Sequence, residues 1–347
     1  MIRVYSDTKF YVYCIAGYAS GGAELLHQLV SYLRDNGKQA FIILVGSKPH
    51  VLHPEYEKYN VELAEEIEDN NHNIEVLYEP HFYRATLNTK TQKVLWWLSV
   101  DNFYQCCDSF LAVKDIAKWS IKRAFRILLS RLYHKVIKHD GTYSTILSLN
   151  DIAKLDVVNA YQSEYAQNFL QNNGFTELMP LKDYINIEHS GSISLHNRED
   201  IVLYNPRKGM EFTKELIKLA PDIRWVPIIN MKRSQVIDLM RRSKVYIDFG
   251  LHPGKDRLPR ECAINGLCII TGRRGSANFY EDVCIDSKYK FNEKKCDKKI
   301  IINIIRDTLN NYETRLSDFA LYRHRISLEK HEFEQQIEEL FLNNLYG

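Results

Sequence analysis

The sequence lacks a strong excess of either charge. Its 347 residues include 46 lysines and arginines against 44 aspartates and glutamates, which gives a formal net charge of +2. Domains that bind nucleic acid electrostatically carry a clear basic excess on one face or overall. We therefore expect no nucleic-acid partner, and any bound anion has to be held by a local cluster of basic residues.

Cysteines are few, apolar runs are short, and no targeting pattern opens the chain. The seven cysteines are odd in number and lack the spacing of a metal site, which favours reduced thiols. No apolar run reaches membrane-spanning length, and the first residues lack the charged-then-apolar order of a signal peptide. We expect a cytoplasmic protein.

Metal and dinucleotide motifs are missing as well. The chain has no D-x-D carboxylate pair, and its twelve histidines are scattered, so we expect neither a metal nor another cofactor. The first glycine turn matches neither the G-x-G-x-x-G fingerprint nor the phosphate-binding loop G-x-x-x-x-G-K-[ST]. A nicotinamide-dependent dehydrogenase is therefore disfavoured.

The chain does contain two successive alternations of strand-like and helical patterns. "KFYVYCIAG", a helical stretch and "QAFIILVG" form a β-α-β unit, and further strands are predicted at "NIEVLY", "KVLWWLSV" and "YSTILSL". A polar stretch, residues 182–199, is the predicted linker before the second alternation, which "DIVLYNP" opens. We predict an α/β protein with two Rossmann-like parallel-sheet lobes that face a cleft. The lobes are residues 1–190 and 191–324, and a C-terminal helix at about 325–347 packs back on the first lobe.

Glycine turns follow the first strand of each alternation. In "GYASGGAE", Gly21 and Gly22 lie at a helix start, where backbone N–H groups and the helix dipole can hold an anion. In "NPRKG", Asn205, Arg207 and Lys208 take the corresponding position in the second alternation. Cations at a helix start oppose the helix dipole, so this placement favours a bound phosphate over a solvated surface pair. A plain tight turn is the alternative for the first motif.

Two more basic turns follow later strands of the second alternation. Ligands of parallel α/β sheets bind beyond the carboxyl ends of the strands, and "LHPGKDRLPRE" lies there, directly after "KVYIDFG". Three of its side chains can neutralise a diphosphate: Lys255, Arg257 and Arg260. Glu261 can accept hydrogen bonds from sugar hydroxyls, and Gly275 and Ser276 in "TGRRGSANFYED" add backbone donors. An exposed loop with internal salt bridges is the alternative.

The order of these motifs resembles the GT-B glycosyltransferases. "GGAE", "NPRKG", "RECAINGLCIITG" and "GSA" are most similar to the retaining nucleotide-sugar transferases with a "KG" helix start and an E-x7-E loop. The resemblance is specific only from about Tyr204 to Asp282. It implies that Lys208 grips the donor diphosphate and that Glu261 binds the donor ribose. It also implies that Gly21 and Gly22 close on the donor phosphates.

The sequence departs from that pattern at two positions. The first glutamate of E-x7-E falls on Pro253, and the arginine that the family carries upstream of "KG" is missing. We expect one of the basic residues Lys255, Arg257 or Arg260 to replace that arginine. The contact to the transferred sugar then falls to His252 or Asp256.

The stretch "WWLSVDNFY" offers an acid/base candidate in the first lobe. Asp101 ends an apolar strand and can serve as the general base of an inverting enzyme, whereas a retaining enzyme can dispense with it. Trp97 and Tyr104 can stack on sugar faces of the acceptor. The alternative is a core strand whose aspartate starts a turn. The catalytic candidates are Asp101, Lys208 and Glu261.

A basic amphipathic helix is predicted at residues 120–139. Its apolar stripe is formed by Ile121, Phe125, Leu128, Leu132 and Val136, and lysines and arginines occupy the rest of its circumference. This pattern is typical of a helix that rests on anionic lipid, which would place the protein at the inner face of the cell membrane. A surface helix packed on its own lobe is the alternative.

The resemblance and the motifs together predict a function. We expect a metal-independent, retaining hexosyltransferase that moves a sugar from a nucleotide sugar to a glycan or lipid-linked acceptor in surface polysaccharide assembly. A nucleotide-sugar epimerase of the same fold is one alternative. A non-catalytic protein that binds a nucleotide or glycan is the other, and the missing first glutamate favours it.

Overall fold

The computed structural model describes residues 2–17, 19–46, 49–106, 117, 121–138, 147–186 and 193–343. The chain divides into two compact units. The first unit comprises Met1–Gln162, Ala166–Lys182 and Phe333–Gly347, and the second comprises Ser163–Tyr165 and Asp183–Glu332. The end of the C-terminal helix therefore belongs to the first unit, although it follows the second unit in sequence.

Among the described residues of the first unit, six strands form a parallel sheet in the order β2-β1-β3-β4-β5-β6. The strands are β1 (Lys9–Ile15), β2 (Gln39–Val45), β3 (Ile74–Tyr78), β4 (Gln92–Trp97), β5 (Val158–Tyr161) and β6 (Leu178–Pro180). The helices are α1 (Gly21–Asp35), α2 (Val100–Cys106), α3 (Ile121–Leu132), α4 (Leu149–Ile152) and α5 (Glu164–Asn172). Helix α3 continues as a π-helical turn, Tyr133–Lys138.

The first sheet is buried on both faces, which suits apolar parallel strands covered by helices. Ser20 begins α1, because its hydroxyl accepts a hydrogen bond from the backbone N of Ala23 at 3.2 Å. The C-terminal residues complete this core: Phe333 stacks on Trp96, and Phe341 meets Phe10 edge-on. These contacts explain why residues beyond 332 belong to this unit.

In the described part of the second unit, five parallel strands are ordered β11-β10-β9-β7-β8. They are β7 (Glu199–Tyr204), β8 (Arg224–Pro227), β9 (Ser243–Asp248), β10 (Cys268–Gly272) and β11 (Lys290–Phe291). The helices are α6 (Met210–Leu219), α7 (Arg233–Arg242), α8 (Arg257–Ile264), α9 (Lys298–Asn310), α10 (Tyr312–Ser317) and α11 (Ala320–Ile337). The predicted fold class, two Rossmann-like parallel-sheet units, is confirmed.

One predicted strand is wrong in its described part. Residues 143–146 of "YSTILSL" lie outside the described residues, but Ser148 starts a helix. The Ser148 hydroxyl accepts a hydrogen bond from the backbone N of Asp151, and the Asp151 carboxylate accepts one from the backbone N of Ser148. This reciprocal capping fixes the start of the helix at Ser148.

No helix in the described ranges is both long and apolar enough to cross a bilayer.

Candidate functional site

Three loops of the second unit meet at the carboxyl ends of neighbouring parallel strands. They follow β7, β9 and β10 and contain residues 205–209, 249–256 and 273–276. Two glycines let the loops touch through their backbones. Gly209, at a φ of 60°, faces the carbonyl of Phe249, and Gly275, at a φ of 56°, faces the carbonyl of His252. A β-carbon at either glycine would overlap that carbonyl, so only glycine fits.

Lys208 reaches from the first loop to the second. Its Nζ lies 2.5 Å from Oδ2 of Asp256 and forms an ion pair with it. The turn that carries it is closed by Asn205, whose side-chain oxygen accepts a hydrogen bond from the backbone N of Arg207 at 3.0 Å. Arg207 itself is exposed. The turn predicted to bind a phosphate thus carries two cations: Lys208 is paired with Asp256, and Arg207 is exposed to solvent.

His252 lies fully buried between two carboxylates. Its Nε2 is 3.5 Å from Oδ1 of Asp248, and its Nδ1 is 3.4 Å from Oδ2 of Asp256. Burial alone would lower the pKa of His252, but Asp248 and Asp256 together outweigh burial and raise it. Burial alone would raise the pKa of Asp248, yet His252 and Lys208 lower it to about 2. This network favours an ionised Asp248 beside an imidazolium.

The same three residues have the donor types of a cation site. One oxygen each of Asp248 and Asp256 and a nitrogen of His252 lie within 4.8 Å of one another. A protonated His252 together with the ammonium of Lys208 would balance the two carboxylates, so the network can be neutral without an ion. A metal that bound there would have to compete with both positive charges.

Glu261 faces a different partner from its sequence neighbours. Its two carboxylate oxygens accept hydrogen bonds from the two terminal nitrogens of Arg233, at 2.9 and 2.6 Å. Arg233 is the first residue of α7, and Glu261 lies in α8. The carboxylate implied to bind ribose is therefore held by a bidentate ion pair.

The remaining basic residues of this stretch, Lys255 in the second loop and Arg257 and Arg260 in α8, are bound by other parts of the unit. Arg260 is fully buried and pairs with Oδ2 of Asp183 and Oε2 of Glu329, each at 2.7 Å. Lys255 pairs with the other oxygen of Glu329, also at 2.7 Å. Arg257 donates a hydrogen bond to the backbone carbonyl of Tyr184 at 3.2 Å. The structure thus brings Lys208, His252 and Asp256 together, whereas Lys255 and Arg260 join a separate buried network.

The third loop serves as a support for the second. The backbone N of Ser276 donates to the carbonyl of His252 at 2.9 Å, and its hydroxyl donates to the carbonyl of Gly254 at 2.6 Å. Ser276 is fully buried. Gly275 and Ser276 therefore fix the position of the loop that carries His252 and Asp256.

The candidates of the first unit lie on three elements. Gly21 and Gly22 form the first turn of α1, and Asp101 lies in the first turn of α2. Trp97 is fully buried, and its Nε1 donates to Oδ1 of Asn159 at 2.9 Å. The side chain of Tyr104 lies outside the described residues.

Sequence reasoning missed two buried titratable residues that follow β3. Glu79 accepts a hydrogen bond from the backbone N of Ser99 at 2.5 Å, and burial raises its pKa to about 8. Burial lowers the pKa of His81 to about 4. Burial thus favours the uncharged form of both side chains. The stretch "YEPHFY" could have indicated them, because its glutamate and histidine come just after an apolar strand.

Two residues of the second unit were also missed. Asp248 ends the apolar run "KVYID", and a carboxylate that closes a buried strand is a usable signal. Arg233 has no comparable local signal, because its partner Glu261 lies 28 residues further along the chain.

No protein-family model matches the sequence, and no curated protein matches it either. Solved structures do match. Sucrose-phosphate synthase from Thermosynechococcus elongatus has a TM-score of 0.60 at 11% identity, over 96% of this chain and 98% of that one. HepE from Anabaena, in complex with UDP-glucose, has a TM-score of 0.59 at 11% identity, over 95% and 98%. WaaG, a glycosyltransferase involved in lipopolysaccharide biosynthesis, has a TM-score of 0.53 at 10% identity, over 96% and 98%. At these identities the likeness shows the fold alone, which is two Rossmann-like α/β units.

Proposed function

We propose that this chain is a glycosyltransferase that moves a sugar from a nucleotide-sugar donor to a glycan or lipid-linked acceptor. One observation carries the proposal. Lys208 and Glu261 follow adjacent parallel strands of the second unit: Lys208 lies in the loop after β7, and Glu261 lies in α8, the helix that follows the loop after β9. One of the proteins of this fold was solved with UDP-glucose bound, which supports a nucleotide-sugar donor.

In this proposal the second unit contributes to catalysis by electrostatic stabilisation of the leaving group. When the glycosidic bond to the diphosphate breaks, negative charge grows on the leaving oxygens, and Lys208 stabilises it. The diphosphate has to draw Lys208 away from Asp256, whose carboxylate then shares His252 with Asp248. Arg207, exposed in the same turn, supplies a second cation. We propose that these charges suffice without a metal ion and that the transfer retains the anomeric configuration, so that Asp101 is dispensable.

An assay of the unmodified protein tests the function. Nucleotide sugars are incubated with glycan and lipid-linked acceptors, with and without a chelator, while nucleoside diphosphate and sugar products are measured. We expect nucleoside diphosphate to appear only when acceptor is present, with an unchanged rate under chelator and an α-linked product from an α-linked donor. An epimerised donor sugar without acceptor would instead favour the epimerase. Binding with no turnover would favour the non-catalytic protein.

We further propose that α3 rests on an anionic membrane, at the inner face of the cell membrane, where lipid-linked acceptors of surface polysaccharides are found. The apolar stripe predicted to lie on one face of this helix is exposed along its whole length, from 77% of Ile121 to 60% of Val136. Exposed apolar side chains flanked by Lys122 and Arg126 suit a lipid surface better than water.

A vesicle-binding measurement tests the membrane proposal. Replacing Phe125 and Leu132 together by serine is expected to weaken binding to vesicles that contain phosphatidylglycerol by roughly tenfold or more, because two apolar side chains no longer enter the lipid. Replacing Leu219, an exposed leucine of α6, by serine is the control and should change nothing. Equal binding of the parent and the double variant would contradict the proposal. It would also be contradicted if the parent bound vesicles of phosphatidylcholine alone as well as vesicles that contain phosphatidylglycerol.

A further inference from the structure

Arg84 is a half-buried cation just beyond the carboxyl end of β3 in the first unit. It lies in a 3-10 helix, Glu79–Thr86, which follows this strand directly. Its guanidinium lies over the rings of Tyr13 and Tyr83, 5.1 and 5.3 Å from their centres. The two rings orient the guanidinium but do not cancel its charge. Arg84 thus lies, in a fixed orientation, at the edge of a parallel sheet where ligands bind.

No carboxylate among the described residues lies within ion-pair distance of Arg84. Glu75, which accepts a hydrogen bond from the Tyr13 hydroxyl at 2.9 Å, is already paired with Nζ of Lys93 at 3.2 Å. Burial raises the pKa of Glu79 to about 8, which favours its uncharged form. In this part of the structure, Nε of Arg84 is buried and has no hydrogen-bond partner among the described residues. A charge in these surroundings is costly unless an anion compensates it.

His81 adds polar atoms beside Arg84 but no second charge. Its ring lies edge-on to that of Tyr78, with 5.1 Å between the ring centres. Both ring nitrogens are buried and have no partner among the described residues, although buried polar atoms of folded proteins are normally hydrogen-bonded. Burial and the charge of Arg84 lower the pKa of His81 to about 4, which favours the neutral imidazole. The two nitrogens therefore favour a polar ligand, and Arg84 supplies the positive charge.

The surroundings of Arg84 suit a sugar that carries a carboxylate. The rings of Tyr78 and Tyr83 are half-buried, so each offers an apolar surface to the C–H face of a sugar. A guanidinium binds a carboxylate through two parallel hydrogen bonds. With His81 neutral, one positive charge remains, which matches a carboxylate better than a phosphate monoester of about −1.5 to −2.

We propose that Arg84 binds the carboxylate of a uronic acid in the acceptor. This inference rests on the proposed function and makes it more specific, because the acceptor is then an acidic glycan. The guanidinium holds the carboxylate, while Tyr78 and Tyr83 pack against the ring of the sugar. Arg84 takes no part in breaking the bond to the donor diphosphate in this scheme. Its loss should therefore weaken acceptor binding and leave donor binding unchanged.

Calorimetric binding of an acidic tetrasaccharide tests this inference. The tetrasaccharide alternates glucuronic acid with N-acetylglucosamine, and its methyl ester is the matched neutral probe. We expect the parent protein to prefer the acid over the ester by about tenfold or more, as for a hydrogen bond to a charged group. In Arg84→Met the preference should fall to about twofold or less. Arg84→Lys keeps the charge without the planar fork and should fall in between.

Arg34→Met is the matched control within the first unit. Arg34 is also half-buried, but it has its own partner, Glu62, at 2.9 Å, so this variant should keep the parental preference. Glucuronate and inorganic phosphate are added as competitors, and glucuronate should displace the tetrasaccharide at the lower concentration. Thermal unfolding of each variant checks that the fold is intact, and Arg84→Lys keeps the test open if the methionine variant is unstable.

The outcomes separate the inference from the function on which it rests. If the parent binds neither probe or binds both equally, or if Arg84→Met keeps the full preference, the inference falls. Sugar transfer to a neutral acceptor would then leave the proposed function standing. If the preference depends on Arg84 but no nucleotide sugar supports transfer to any acceptor, the carboxylate site stands and the proposed function falls. Displacement by phosphate at the lower concentration would overturn the assignment of a carboxylate.

Discussion

Replacing Arg260 by methionine is expected to lower the free energy of unfolding by about 3–5 kcal/mol, the cost of breaking a buried ion pair from one side. Arg260 is fully buried and joins Asp183 and Glu329 at 2.7 Å each. It also donates a hydrogen bond to the backbone carbonyl of Lys255 at 2.8 Å. Methionine fills much of the same volume but leaves the Asp183 carboxylate buried without its counter-charge. Denaturant unfolding of the parent and the variant measures the difference.

The loss should depend on pH in a defined direction. Burial alone would raise the pKa of Asp183, but the nearby cations, Arg260 foremost and Lys255 with it, together outweigh burial and lower the pKa below the ordinary value. A carboxyl whose pKa is lowered by folding contributes stability that is present above its unfolded pKa and lost as the pH falls through its folded pKa. The difference between parent and variant should therefore be largest near neutral pH and shrink in acid.

Two further variants make the measurement of Arg260 decisive. Arg306 forms a bidentate ion pair with Asp222 at the surface, at 2.6 and 2.9 Å, so Arg306→Met should change stability little. A triple variant that replaces Arg260, Asp183 and Glu329 by apolar residues of similar size should regain part of the lost stability, because no unpaired charge then remains. A parental stability in Arg260→Met alone would contradict the network.

Replacing Lys208 by alanine is expected to reduce turnover by roughly 100- to 1000-fold, the effect of removing one group that stabilises charge in a transition state. The reason is that its ammonium stands at the turn between β7 and α6, where the leaving diphosphate is proposed to bind. The side chain is 33% exposed, so the substitution should leave the fold intact. Steady-state rates at saturating donor measure the loss of catalysis, and thermal unfolding shows whether the fold is also affected.

Lys214→Ala is the control for Lys208, because Lys214 is an exposed lysine of α6, the helix that follows the turn, and should be dispensable. Lys208→Arg keeps the positive charge and should retain more activity than the alanine variant. If Lys208→Ala kept its turnover within a few-fold of the parent, the leaving group would have to be stabilised elsewhere, and Arg207 would be the next residue to test.

Much of the architecture was predictable because it is encoded locally. Strands such as "KVYIDFG" are continuous apolar runs, helices such as α7 show helical spacing, and glycines mark the turns between them. The turn "NPRKG" was found for the same reason: a strand end, two cations and a glycine stand within five residues. The helical start at Ser148 was missed, although "SLND" carries the local capping pattern, because the apolar run before it was given more weight.

The sequence by itself therefore determined which elements form and where their loops lie, since hydrophobic periodicity and turn residues act over a few neighbours. Only the tertiary structure decided what the side chains in those loops do. Arg260 and Glu261 are adjacent in "PRE", yet Arg260 pairs with Asp183, 77 residues earlier, while Glu261 pairs with Arg233, 28 residues earlier. Successive side chains on a helix point about 100° apart, so neighbours in sequence meet different surroundings. Whether a cation is buried in the core or stands at the binding loops depends on carboxylates that only the fold brings near.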